Sequence, residues 1–174
     1  KTWDDADNND GKRPESITIN LLKNGQVIDS KTVTAEDDWS WSFEGLPKYE
    51  NKGTLIVYSI TEEAVTDYTT TYDGYDVTNS YTPGKVSVSV TKNWQDNNDQ
   101  DGIRPNDITV QLLADGVAVE GKTLVLSEGN NWTGSFTDIP EYKQGVKIVY
   151  TVQEVEVAGY DTVIRGSAAD GFTI

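Results

Sequence analysis

Three polar residue types fall in this chain where strand patterning expects apolar ones: a lysine, a glutamate and an asparagine. Side chains along a strand alternate faces, so residues two apart share a side. Val86, Val88 and Val90 share one face against Ser87, Ser89 and Thr91, and Lys92 continues the valine side, followed by Trp94. Tyr58, Ile60 and Glu62 line up against Ser59 and Thr61, and Tyr150, Val152 and Glu154 repeat that pattern against Thr151 and Gln153. Val77 and Tyr81 share a face with Asn79, leaving Thr78 and Ser80 on the other. An amine, a carboxyl and a carboxamide therefore point toward an aromatic interior. An enclosed Lys and Glu must at least pair, because an isolated buried charge is very costly. For any one of these residues the other reading stays open, in which a strand-end Lys or Glu curls out to water.

The rest of the composition excludes most alternative chemistry. The 174 residues hold no Cys, no Met and no His. Without Cys and His there is no tetrahedral zinc site, no Cys nucleophile, no Ser-His-Asp triad and no haem histidine. With 29 Asp and Glu against 14 Lys and Arg, the formal charge is −15, and no basic stripe offers a surface for nucleic acid or anionic lipid. No apolar run is long enough to span a membrane. Apolar residues make up 36% of the chain, with five Trp and nine Tyr, so a packed core is expected.

The elements that must position these residues come in two copies. Lys1-Thr2-Trp3-Asp4-Asp5 matches Lys92-Asn93-Trp94-Gln95-Asp96, and Asp7-Asn8-Asn9-Asp10-Gly11-Lys12-Arg13-Pro14 returns as Asn98-Asp99-Gln100-Asp101-Gly102-Ile103-Arg104-Pro105. The offset of 91 carries through Leu21-Leu22 and Leu112-Leu113, drifts to 93 at Trp39 and Trp132, and settles at 92 for Tyr58 and Tyr150, Glu62 and Glu154, and Tyr68 and Tyr160. Matches in one order with small drifts mean tandem copies of one domain. The boundary is expected in the Pro-Gly connection Tyr81-Thr82-Pro83-Gly84-Lys85, giving domains 1–83 and 84–174. Copy one begins at its lysine, with its first strand truncated. Copy two stops at Ile174, with its last strand truncated, so the segment reads as a window on a longer array.

Each copy reads as all-β. Ile17 to Leu21, Val86 to Thr91 and Thr109 to Leu113 alternate, Asn24-Gly25 and Asp115-Gly116 supply hairpin turns, and no long stretch shows a helical period. Short strands with frequent turns read as a β-sandwich.

Taken together, Lys-x-Trp, the Asp-rich Asn-x-Asp-Gly-x-Arg-Pro loop, Leu-Leu-x-x-Gly, Leu-Pro-x-Tyr, Tyr-x-Ile/Val-x-Glu and Val-Thr-Asn-x-Tyr-Thr-Pro resemble the collagen-adhesin B-type (Cna B-type) repeat. The resemblance covers essentially the whole chain, twice. It implies two tandem reverse immunoglobulin-like β-sandwich domains of the kind that build stalks in Gram-positive surface adhesins and pilins. Members of that family often carry a self-generated isopeptide bond between a Lys on the first strand and an Asn on the last, promoted by a buried acid. By that resemblance Lys1 would join Asn79 with Glu62 as the promoting acid. Lys92 and Glu154 match in copy two, and the Asn partner of Lys92 lies beyond the chain end.

The same resemblance implies a structural role with at most one autocatalytic turnover and no enzyme activity. It implies no cofactor, neighbouring repeats as partners, a matrix ligand bound by another region, a monomer, and a cell-wall-anchored location through a sorting signal outside this segment. The competing function class is a module that binds a host matrix protein or glycan directly. No metal is expected. Asn97, Asp99 and Asp101 match the opening half of a calcium loop, but its twelfth position is Ile108, and a solvated Asx-turn loop is the competing reading. The five Trp are expected at strand positions in the core rather than as a carbohydrate platform. Asn131-Trp132-Thr133 matches a glycosylation sequon and is given no role. No two carboxylates have the spacing of a glycosidase pair.

Overall fold

Short alternating runs become strands throughout the chain, all 174 residues of which are described in a computed structural model. Residues 1–83 supply β1 (Thr2–Asp4), β2 (Ser16–Lys23), β3 (Gln26–Thr34), β4 (Tyr49–Glu50), β5 (Thr54–Leu55), β6 (Tyr58–Glu62), β7 (Thr69–Asp73) and β8 (Asp76–Ser80). The remainder supplies β9 (Lys85–Thr91), β10 (Asp107–Ala114), β11 (Val117–Ser127), β12 (Thr133–Pro140), β13 (Tyr142–Lys143), β14 (Val146–Lys147), β15 (Tyr150–Glu154), β16 (Arg165–Ser167) and β17 (Gly171–Thr173). The only helical turns are single 3-10 turns at Ala35–Asp37 and Glu128–Asn130. The chain separates into two units, Lys1–Pro83 and Gly84–Ile174.

Hairpins set the register of each unit. Asn24 and Gly25 both take positive φ (49° and 84°), as do Asp115 and Gly116 (50° and 80°). That is the two-residue turn whose twist matches the strands it joins, so β2 folds onto β3 and β10 onto β11. In the first unit one sheet runs β3-β2-β6 and the other β1-β8-β7. The second unit has β11-β10-β15 facing β12-β9-β17-β16. In both units the first strand lies parallel to the last, β1 on β8 and β9 on β17.

Alternate side chains fill the space between the sheets. Ile17, Ile19, Val33 and Ile60 meet Val77 in the first unit. Ile108, Val110, Leu112, Leu126 and Val152 meet Val88, Val90, Phe136, Ile139 and Phe172 in the second. Each fully enclosed aliphatic side chain contributes about 1.5–3 kcal/mol, and more of them line the second core than the first. The difference has a local cause. In the second unit β12 forms along β9, whereas Trp41–Leu46 in the first unit has no strand alongside it and stays irregular. Backbone donors and acceptors adopt strand geometry only where a neighbour can pair with them.

The tryptophans depart from expectation. Only Trp3 lies in a strand. Trp39 and Trp132 sit at positive φ (53° and 57°) just after the 3-10 turns, and Trp94 follows the end of β9. They reach the core from these turns, with Trp94 and Trp132 packed on the second cluster and Trp3 and Trp39 on the first.

Candidate functional site

One lysine and one glutamate meet between the sheets of each unit. Lys1 lies just ahead of β1 and Glu62 ends β6, so they come from opposite layers. Lys1 Nζ donates to Glu62 Oε1 at 2.6 Å, and both side chains are fully enclosed. In the second unit Lys92 follows β9 and Glu154 ends β15; their separation is 2.7 Å and their side chains are 5% and 0% exposed. The placement in which these residues curl out to water is therefore not the one adopted. An aromatic wall closes each pair. Lys1 Nζ lies 4.7 Å from the Trp3 ring centre and Lys92 Nζ 4.5 Å from that of Trp94. Trp3 is met edge-on by Trp39 and Tyr68, and Trp94 by Trp132 and Tyr160.

Parallel pairing of first and last strands delivers the third group. Trp3 sits opposite Asn79, and Lys1, two residues earlier, shares its face and lies diagonally from Asn79. Asn79 is completely buried, yet neither Nδ2 nor Oδ1 has a hydrogen-bond partner within the protein. An unmade bond of this kind costs about 1–3 kcal/mol for each buried group. Burial also pulls the Lys1 amine below its usual pKa, against the opposing hydrogen bond and charge of Glu62. Enclosure of this kind moves a lysine toward its neutral, nucleophilic form.

The second unit reproduces the pair. Thr91 pairs with Thr173, so continuing that register sets Ile174 beside Lys92, as Val77 stands beside Lys1. The position corresponding to Asn79 is then 176, two beyond the last residue. A cavity of about 240 Å³ adjoins Lys92, lined also by Asp161, Val163, Arg165, Thr173 and Ile174.

A second polar cluster escaped the strand-parity reading. Asp5 is 1% exposed, and its carboxylate takes two bonds from the Arg13 guanidinium (2.7 and 3.0 Å), one from the Tyr68 hydroxyl (2.8 Å) and one from the Asn8 backbone N–H (2.9 Å). Asp96, Arg104, Tyr160 and Asp99 repeat the same set. Burial alone would raise the Asp5 pKa, but these donors together hold it below the usual carboxyl range. The Arg104 guanidinium likewise holds Asp96 below that range. The recurring Asp-to-Arg spacing of eight residues was the available signal. This cluster also accounts for the acidic loop. Asp99 Oδ1 accepts the Arg104 backbone N–H, and Asn97, Asn98 and Asp99 take left-handed backbone around the Asp96 carboxylate. Nowhere do three or more Asp and Glu gather in an arrangement that could hold a metal ion.

Fold and site together define a class: tandem all-β sandwich domains, each enclosing a lysine–glutamate pair beside its last strand. The chain belongs to the Cna protein B-type domain family, whose model matches residues 1–80 and again 88–174. The collagen adhesin of Staphylococcus aureus is 51% identical over 163 residues, which is 93% of this chain and 14% of that protein. A crystal structure of a single B repeat unit (B1) of the collagen binding surface protein of Staphylococcus aureus is 47% identical, over 99% of this chain and 92% of that one, with a TM-score of 0.48. A two-repeat (B1B2) structure of the same protein is 47% identical over 99% and 46%, with a TM-score of 0.49.

Proposed function

We propose that this chain is a stalk segment of a cell-wall-anchored bacterial surface adhesin, strengthened by an intramolecular amide between Lys1 and Asn79 with Glu62 as the promoting acid. The observation that carries this reading is the fully buried, unpartnered carboxamide of Asn79 beside an enclosed amine–carboxyl pair. Glu62 takes one proton from the Lys1 ammonium, leaving a neutral nucleophile. Nζ attacks Cγ of Asn79, the Cγ–Nδ2 bond breaks, and a second Nζ proton passes to Nδ2 so that ammonia leaves. Folding supplies proximity, worth effective molarities of roughly 10⁵ M or more for well-oriented groups. The reaction turns over once and acts on no external substrate. Lys92 and Glu154 are poised for the same chemistry with a residue at position 176.

A bond from first strand to last gives this reading its mechanical sense, because pulling force then bypasses the intervening fold. Closing so long a loop also stabilises by about 4 kcal/mol in the chain-entropy model. Domains spanning 1–83 and 84–174 would act as successive units of a monomeric array at the cell surface. Its neighbours would be further repeats, and collagen or another matrix ligand would be bound by a different region. The likeness to a collagen adhesin of which this chain spans 14% of the length supports that division of labour. Intact-mass spectrometry tests the chemistry: one ammonia is lost from the chain and none from Glu62→Ala, and an unchanged wild-type mass overturns the cross-link. A pull-down against collagen and fibronectin tests the stalk role. Binding by these two domains alone would replace it with direct matrix recognition.

A further inference from the structure

Both enclosed carboxylates share a partner that the lysine–asparagine chemistry does not call for. Thr70 Oγ1 donates to Glu62 Oε2 at 3.2 Å, and Thr162 Oγ1 donates to Glu154 Oε2. With Lys1 on Oε1 and Thr70 on Oε2, both carboxylate oxygens are held and the plane of the group is fixed. We infer that Thr70 and Thr162 are positioning residues that aim the promoting acid at the amine and the amide. The inference rests on the cross-link reading above.

Three observations converge on these hydroxyls. Thr70 stands directly opposite Asn79 in the β7–β8 register, so it flanks the amide on one side as Trp3 does on the other. Within the run Thr69-Thr70-Thr71 only Thr70 is sheltered, its neighbours being exposed on the outer face. An inward hydroxyl needs an acceptor, and its acceptor here is the glutamate. Thr162 keeps the contact although residues 161–164 form no strand, and continuing the β16–β17 register sets it opposite position 176, as Thr70 is set opposite Asn79. The same bond thus survives a change in local backbone.

The expected effect has a sign. A hydroxyl donating to a carboxylate favours its ionised form, the form that can take a proton from the ammonium. The other titratable groups bearing on Glu62 are Lys1, ahead of β1, and Tyr72 on β7, whose hydroxyl accepts the Glu62 backbone N–H at 2.9 Å. Ile19 of β2 and Asn79 of β8 bring no charge. Removing the Thr70 donor therefore moves the acid limb of the rate–pH profile to higher pH, and it slows bond formation through lost alignment.

The test follows ammonia loss against time by intact mass. The 174-residue chain is made by cell-free translation, unfolded at once in denaturant, and refolded by dilution across a pH series. Thr70→Val and Thr70→Ala are expected to close about tenfold more slowly than wild type with the acid limb displaced upward, and Thr70→Ser to restore both rate and limb. Circular dichroism of each variant separates a folding defect from a chemical one. Equal rates and limbs in wild type and Thr70→Val overturn the inference and leave the cross-link intact. Slow closure with an unmoved limb, shared by Thr70→Ser, assigns Thr70 to packing and also overturns it. A wild-type chain that keeps its ammonia overturns the cross-link reading itself.

Discussion

The two domains are near copies that differ around the lysine–glutamate pair. The first holds the buried amide of Asn79 but has no strand beside Trp41–Leu46. The second holds that strand, as β9, paired with β12. Despite this, the lysine–glutamate separations are 2.6 and 2.7 Å. The pair therefore depends neither on the amide nor on the length of the strand carrying the lysine. What the copies share is a glutamate ending the strand beside the central hairpin and a lysine two residues ahead of its tryptophan. Pairing recurs in both sandwiches, and under the proposed cross-link the amide is what the pair would act on.

Removing each glutamate separates the two contributions. Glu154→Ala leaves Lys92 enclosed without its partner, which is expected to cost about 3 kcal/mol, the low end for a broken buried pair. If the proposed cross-link forms, Glu62→Ala removes it together with the pair, and the first domain should lose about 4 kcal/mol more. Denaturant melts monitored separately for each domain give both values. Equal losses in the two domains would mean that no cross-link forms.

Adding a strand to the first domain should narrow the contrast. Placing the β9 sequence, Lys-Val-Ser-Val-Ser-Val-Thr, ahead of Lys1 supplies a partner for Trp41–Leu46 and two inward valines equivalent to Val88 and Val90. At about 1.5 kcal/mol each, the gain is about 3 kcal/mol. Amide hydrogen exchange would show new protection in residues 41–46; its absence would locate the irregularity in that segment's own residues.

Much of this was legible in advance where the determinant is local. Alternation placed Val88, Val90 and Val77 inward, and Asn24-Gly25 announced a hairpin through its need for positive φ. What escaped were features set by partners distant in sequence. Trp39 and Trp132 resemble strand residues until the 3-10 turn before each is seen. Thr70 looks like one of three equivalent threonines until the β7–β8 register sets it against Asn79. Asp5 and Arg13 read as loop polarity, because nothing in their own spacing shows that Tyr68 closes over them.

That last cluster predicts an acid response. Asp5 has a pKa lowered from 3.8, so its contribution is complete above that value and is lost as pH falls through the lower folded one. Asp5→Ala should cost about 2 kcal/mol near neutral pH, since three side-chain bonds to a carboxylate are replaced by an unpaired guanidinium and hydroxyl. The penalty should shrink in acid as the wild-type carboxylate protonates. A penalty independent of pH would assign the loss to packing instead.

The smallest expected effect lies at the hairpin turns. Asn24 accepts the Val57 backbone N–H at 3.0 Å and donates to Glu50 Oε1 at 3.0 Å, whereas Asp115 accepts the matching N–H of Val149 at 2.9 Å. The two turns thus do the same backbone work with different charges, and their surroundings follow suit. Glu50 stands near Asn24, and the position aligned with Glu50 in the second domain is Lys143. Asn24→Asp keeps the acceptor but sets a carboxylate against Glu50, which already pairs with Lys23 at 2.5 Å. A destabilisation of about 0.5 kcal/mol is expected, shrinking as salt rises because both groups face solvent. Glu50→Lys in the same background should offset part of that loss by setting a lysine beside the new aspartate, while Lys23, whose place Ala114 takes in the second domain, loses its partner. If the double variant is no better than Asn24→Asp alone, the charge difference between the two turns is incidental, and the backbone bond is all that the copies need to share there.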